Sequence, residues 1–216
     1  MSLDSDKKIR LAIFASGAGS NAENCLRFFH QHPDITIPLI VTNNPQAGVI
    51  AIAEKHGVPC RIITNKQWQQ PENGLAVLAE FAIDFILLAG YLALVPGELI
   101  RKYPHRIFNI RPALLTDFGG KGMYGKNVHQ AVFDKGVDET GITVHEVDEV
   151  YDEGRILFQI SIDITPNDTP ESIESRVREL EYAYLPGIVE KLLLNNIFLA
   201  FGQKQLLEFF LLEFQE

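Results

Sequence analysis

Five short apolar runs, at residues 9–15, 35–41, 58–63, 84–89 and 106–110, alternate with segments of helical pattern, and this alternation constrains the fold more than any other feature of the chain. A run such as Phe85-Ile86-Leu87-Leu88-Ala89 is apolar at successive positions, so a strand made from it must be covered on both faces. Strands of this kind alternating with helices imply a Rossmann-like α/β fold, with a mostly parallel central sheet and helices on both sides. The helices are expected from the segment after Asn21 to about His32, over 47–56 with Gly57 as a left-handed cap, and over 73–81.

The pattern changes after residue 110. Residues 111–126 form an irregular stretch holding Gly119, Gly120, Gly122 and Gly125, and a loop of that length in a compact domain usually carries function. A helix is expected around 128–135. Strands at 140–147 and 156–162, joined by an acidic turn at 148–154, predict an antiparallel C-terminal hairpin. A last long helix starts at Thr169 with Pro170 in its first turn, and Ile173, Val177, Leu180, Tyr184, Ile188 and Leu192 recur at helical spacing. Pro186 is expected to kink it. Neither repeats nor a low-complexity linker interrupt the chain. It is read as a single domain over 1–216, with its core at about 9–193 and an apolar tail at 194–216.

Composition narrows the function classes. With 46% hydrophobic and 22% charged residues in 216, the chain can bury a sizeable core. A net charge of −9 argues against nucleic-acid binding, which needs a basic face, but leaves room for a small anion held by backbone N–H groups. Cys25 and Cys60 form no CxxC pair and have no metal-ligand spacing, so they read as free thiols in a reducing cytoplasm, with no metal expected. The polar N-terminus carries no signal-peptide core, and no apolar run reaches membrane-spanning length.

The first strand runs into Ser16-Gly17-Ala18-Gly19-Ser20-Asn21. Glycines let the backbone turn tightly and approach a ligand, and the helix start offers unpaired N–H groups to an anion. Gly17, Gly19 and Ala22 fit the dinucleotide spacing, but Val41-Thr42-Asn43-Asn44 stands where that motif places an acidic residue. A phosphomonoester is favoured, and the loop alone leaves a dinucleotide open.

Three further segments join this loop: Leu88-Ala89-Gly90-Tyr91-Leu92, Phe108-Asn109-Ile110-Arg111-Pro112-Ala113-Leu114-Leu115, and the stretch from His145-Glu146-Val147-Asp148 to Asp152-Glu153-Gly154. In this order and spacing, with Glu181-Tyr182 in the last helix, the chain resembles the folate-dependent formyltransferases over roughly residues 9–193. The resemblance implies transfer of a formyl group from 10-formyltetrahydrofolate to an amine, with glycinamide ribonucleotide, a purine precursor, as the acceptor. It assigns Asn109 and Asp152 to catalysis. Gly19, Ser20 and Asn21 are assigned to the substrate phosphate and Glu181 to the amine-bearing moiety. Folate falls to Leu92, Ala93, Leu94 and Val95 on one side and to Asp148, Glu149, Val150 and Tyr151 on the other. The implied partners are a small nucleotide substrate and folate, with neither nucleic acid nor membrane, in a monomer or homodimer.

One position departs from the family pattern Asn-x-His-Pro: this chain reads Asn109-Ile110-Arg111-Pro112. Arg111 supplies charge and donors but cannot release its proton, so binding is expected to survive while turnover falls. An Arg111–Asp152 ion pair is a further expectation. The loop at 118–125 is longer and richer in glycine than in many relatives. His145, in a strand among apolar neighbours, reads as structural or as support for the site. His129 is the other imidazole that could substitute at the reaction centre, and Lys121 reads as a solvated lysine. Besides a transferase, the alternatives are a formyl-folate hydrolase or a transferase with another acceptor, and a folate- or nucleotide-binding relative that has lost catalysis. The first would be expected to carry an added regulatory domain before Ile9, and a formyltransferase acting on tRNA a basic C-terminal domain.

Overall fold

A computed structural model describes residues 8–115, 125–149 and 154–194. Among the described residues the strand pairs are parallel in the first part of the chain and antiparallel in the C-terminal part. The chain divides into two compact units, Met1–Ile107 and Phe108–Glu216.

In the first unit β1 (Ile9–Phe14), β2 (Ile35–Thr42), β3 (Cys60–Ile62) and β4 (Phe85–Ala89) are ordered β3-β2-β1-β4, all parallel. Leu11 to Phe14, Leu39 to Val41, Ile86 and Leu87 are fully buried, as strands covered on both faces must be. The connecting helices are α1 (Ser20–Phe28), α2 (Val49–Lys55) and α3 (Pro71–Glu80), followed by α4 (Gly97–Lys102). α1 stops four residues short of the expected end. His32 Nδ1 accepts the N–H groups of Asp34 and Ile35 and makes a turn there. Gly57 does cap α2: at φ 66° its N–H donates to Glu54 O, and the N–H of Val58 donates to Ala53 O. α3 begins at Pro71, whose missing N–H costs nothing in a first turn. α4, six residues long, is too short to show a helical period in the sequence.

The order β3-β2-β1-β4 places β1 at the point where the winding reverses. The loops leaving the carboxyl ends of β1 and β4 diverge there, which is where open α/β sheets bind ligands.

The second unit holds β5 (Ile107–Arg111), which starts at the boundary, then α5 (Lys126–Lys135), β6 (Glu139–Glu146), β7 (Ile156–Asp163) and α6 (Pro170–Leu194). β5 pairs antiparallel with β6, and β6 with β7. α6 opens on a reciprocal cap. Thr169 Oγ1 accepts the Ser172 N–H, and Ser172 Oγ accepts the Thr169 N–H. Asp168 joins it, held well below the usual carboxylate range first by the Thr165 N–H and then by the Ser172 hydroxyl. Of the six expected core positions, Ile173, Val177, Ile188 and Leu192 are buried, while Leu180 and Tyr184 are half-buried. The helix continues through the buried Pro186. No helix among the described residues is long and apolar enough to cross a membrane.

Candidate active site

The residues singled out in the sequence fall into two groups, one in each unit. In the first unit Gly19 stands at φ 81° immediately before α1, a backbone conformation that side chains other than glycine rarely adopt. A Cβ there would lie 2.7 Å from Val49 Cβ, so the glycine is needed for packing as well as for conformation. The loop also docks through the Val49 N–H, which donates to Gly17 O. Ser20 is exposed at the start of α1. Asn21 is 8% exposed, and its Oδ1 has no hydrogen-bond partner. A buried carboxamide with an unused polar end, beside the opening N–H groups of a helix, is suited to a polar ligand.

The other segment singled out in this unit follows β4. Tyr91 is buried, and its hydroxyl accepts Trp68 Nε1–H at 2.8 Å. Phe14 packs edge-on against the Tyr91 ring at 5.3 Å. Burial pushes the Tyr91 hydroxyl up to about 12, so it stays neutral. On this anchor the next residues alternate. Ala93 and Val95 turn inward, while Leu92 and Leu94 are 52% and 71% exposed. Two exposed leucines on a fixed backbone offer an apolar surface to a flat ring.

At the end of β2, where a dinucleotide fold would carry its acidic residue, Asn43 and Asn44 are amides turned back on the first loop. Asn43 Oδ1 accepts the Ser16 hydroxyl at 2.5 Å, and Asn44 Nδ2 donates to Ser16 O at 3.3 Å.

In the second unit Phe108 and Ile110 are buried on one face of β5, so Asn109 and Arg111 share the other. Their antiparallel partners in β6 are His145 and Thr143. Asn109 Nδ2 lies 3.1 Å from His145 Nε2, and His145 Nδ1 lies 2.7 Å from Glu146 O. A carbonyl can only accept, so Nδ1 donates to Glu146 O, and Nε2 is placed to accept from the Asn109 carboxamide nitrogen. One Asn109 N–H is thereby fixed on the ring, and the second hydrogen of the same nitrogen is oriented with it. Thr143 Oγ1 donates to Ala113 O and accepts from Leu115 N and Gln159 Nε2, which pins the turn after Arg111. Arg111 is 6% exposed. Glu146 pairs with Arg155 at 2.5 Å.

The remaining assignments fall on other segments. Asp148 and Glu149 are exposed just after β6, and Glu181 is half-buried on α6. Lys121, Val150, Tyr151, Asp152 and the apolar tail after Leu194 lie outside the described residues, as does the expected Arg111–Asp152 pair. His129 is 4% exposed on α5. Burial lowers its pKa, with Glu174 opposing the shift and Arg178 adding to it. Sequence reading missed Ser16 and Asn43 as the link between loops, and Thr143 and Gln159 as supports. Only the β6–β7 register, in which Thr143 faces Gln159, would have found the latter contact. No group of three or more His, Cys, Asp or Glu that could hold a metal ion occurs among the described residues.

Comparison with known proteins adds to this geometry. Residues 9–189 match the family described as Formyl transferase. The chain is 41% identical over 194 residues to the chloroplastic phosphoribosylglycinamide formyltransferase of Arabidopsis thaliana, covering 85% of this chain and 65% of the relative. It is 37% identical over 193 residues to phosphoribosylglycinamide formyltransferase of Bacillus subtilis (strain 168), covering 87% and 96%. Among solved structures, glycinamide ribonucleotide transformylase 1 of Geobacillus kaustophilus superposes with a TM-score of 0.78 at 33% identity, covering 86% of this chain and 98% of that one. The chain spans less than two thirds of the length of the two chloroplastic relatives, at 65% and 61%. The family match runs through both units and includes both groups of candidate residues, and the chain belongs to the formyl transferase family.

Proposed function

We propose that this chain transfers the formyl group of 10-formyltetrahydrofolate to the amine of 5-phosphoribosylglycinamide, a step of purine synthesis. The observation that carries this reading is the Asn109 carboxamide held by His145 on the polar face of β5, in a chain matched to the formyl transferase family over 9–189. In formyl transfer the amine nitrogen attacks the formyl carbon, and a tetrahedral intermediate with an oxyanion forms. The C–N bond to the folate then breaks, and the proton lost by the amine ends on the folate nitrogen. The Asn109 hydrogen not used by His145 is a donor for the oxyanion, a contribution worth roughly 10²–10³ in rate in comparable sites. Gly19, Ser20 and Asn21 hold the phosphate, Glu181 the amine-bearing moiety, and Leu92 to Val95 with residues 148–151 the pterin. Asp152 moves the proton through water. We read 1–216 as one formyltransferase domain, because the family match spans both compact units. The free thiols Cys25 and Cys60 suit a reducing cytoplasm.

Arg111 favours a second reading, a relative that binds both ligands and turns over little. It keeps positive charge beside Asn109 but cannot shuttle a proton. Incubating the purified chain with 10-formyltetrahydrofolate and glycinamide ribonucleotide separates the two, with formylated product read by mass spectrometry and ligand binding by calorimetry. Product formation is expected. Binding of both ligands without product favours the second reading, formate release without acceptor indicates a hydrolase, and no binding overturns all of them.

A further inference from the structure

Ser16 opens the loop assigned to phosphate, yet its hydroxyl is committed elsewhere. Its one proton goes to Asn43 Oδ1 at 2.5 Å, and its oxygen accepts the Leu92 N–H at 2.8 Å. Its backbone is engaged as well. The N–H donates to Gly90 O at 3.0 Å, and the carbonyl accepts Asn44 Nδ2. The residue is 6% exposed. A hydroxyl whose proton is spent can present only lone pairs to a phosphate, and these repel it.

The contacts continue on the far side. Asn43 Nδ2 donates to Asn65 Oδ1 at 3.1 Å. Leu92, Ser16, Asn43 and Asn65 thus form one hydrogen-bonded chain. Their loops leave the carboxyl ends of β4, β1, β2 and β3, which is the order of those strands across the sheet. Leu92 is the first residue of the alternating segment, and its N–H fixes the peptide plane from which Leu92 and Leu94 point outward.

We propose that Ser16 is a positioning residue for segment 92–95, and so for folate, and is not a phosphate ligand despite its place in the phosphate loop. The inference rests on the folate assignment of that segment. In Ser16→Ala the Leu92 N–H loses its acceptor, the peptide plane is freed, and the leucine surface loses its fixed geometry. Phosphate binding, carried by Gly19, Ser20 and Asn21, keeps its donors.

The test measures tetrahydrofolate and ribose 5-phosphate separately by calorimetry on the full chain. Ser16→Ala is expected to weaken tetrahydrofolate about five- to tenfold, the effect of one lost hydrogen bond, and to leave ribose 5-phosphate within about twofold. Ser16→Cys keeps the connectivity of the side chain with a larger, poorer acceptor, and gives the same selective loss at smaller size should the alanine variant fold poorly. Equal loss of both ligands, loss of ribose 5-phosphate alone, or unchanged tetrahydrofolate binding overturns the proposal. A ligand-free readout accompanies these. Amide exchange at Leu92 should speed up about tenfold in Ser16→Ala while Ser20 to Ala22 keep their rates. Unchanged Leu92 exchange overturns the Ser16 link itself. Wild-type chain that binds no tetrahydrofolate, with Leu92 exchange responding as expected, overturns the folate assignment instead.

Discussion

The two units build their polar sites by opposite means. In the first, Ser16, Asn43 and Asn65 sit on loops within three residues of a strand end and Gly19 to Asn21 stand at the start of α1, and most of the groups are backbone atoms or short side chains. In the second, they are side chains on strand faces, brought together by antiparallel register across 36 residues for Asn109 and His145 and 16 for Thr143 and Gln159. A backbone site is sensitive to an added Cβ and largely indifferent to side-chain identity. A register site keeps its fold when a side chain changes and loses its chemistry. Under the proposed function Arg111 is the case in point: it pairs with Thr143 in the β5–β6 register and carries a group that cannot exchange protons.

Reverting that position is therefore the largest expected effect. Arg111→His should raise kcat for formyl transfer by roughly 10²–10⁴, the usual worth of a positioned acid or base, with little change in KM. The rate should also acquire a titration near imidazole's range. An unchanged rate would remove Arg111 from the argument, and with it the claim that side-chain identity governs the second unit.

Next in size is Asn109→Ala, expected to lower kcat by about 10²–10³ with the thermal midpoint preserved, since the residue is only half-buried. His145→Gln should cost about tenfold, because the carboxamide loses its fixed orientation but keeps a polar neighbour. The pair should be non-additive: His145→Gln in the Asn109→Ala background should cost nothing further in kcat. Additive losses would mean that His145 acts on the reaction independently of Asn109.

The matching perturbation of the first unit is Gly19→Ala. Both the positive φ and the 2.7 Å approach to Val49 Cβ oppose it, so it should cost about 1–3 kcal/mol of stability and weaken ribose 5-phosphate severalfold. Ser20→Ala, which removes a hydroxyl and leaves its N–H, should weaken the same ligand less. Thermal melts and calorimetry read both variants, and a larger loss from Ser20→Ala would reverse the contrast between backbone and side-chain sites.

The same contrast explains what was legible in the sequence. Strand runs, the Gly19 turn and the Gly57 cap are local properties of a few adjacent residues, and they stand where the pattern put them. Asn109 was picked out through its motif and His145 as structural or as support for the site, but their pairing was not legible, because register is set by the packing of whole strands. Asn43 was legible only as a missing carboxylate. Its part in holding Ser16 depends on β1 and β2 lying side by side, which residue spacing does not state. α4 was missed because six residues give no period, and the end of α1 because the His32 turn rests on a single side chain that accepts two N–H groups.

The smallest expected effect concerns pH, and it too divides the units. The buried imidazoles among the described residues, His129 and His145, both belong to the second. Burial is the main cause that lowers the pKa of His129; Arg178 adds to it and Glu174 opposes it. A folded pKa below the unfolded value of about 6.5 means that the unfolded chain binds more protons in that range. Stability should thus be complete above pH 6.5 and fall as pH drops below it, until the folded His129 also takes a proton. One proton bounds the slope at about 1.4 kcal/mol per pH unit. Urea midpoints at pH 7, 6 and 5 should decline in wild type and flatten in His129→Phe. An undiminished slope in that variant would move the pH sensitivity to another group, and a slope that vanishes would tie acid stability to α5 and leave the glycine-dependent loops of the first unit out of it.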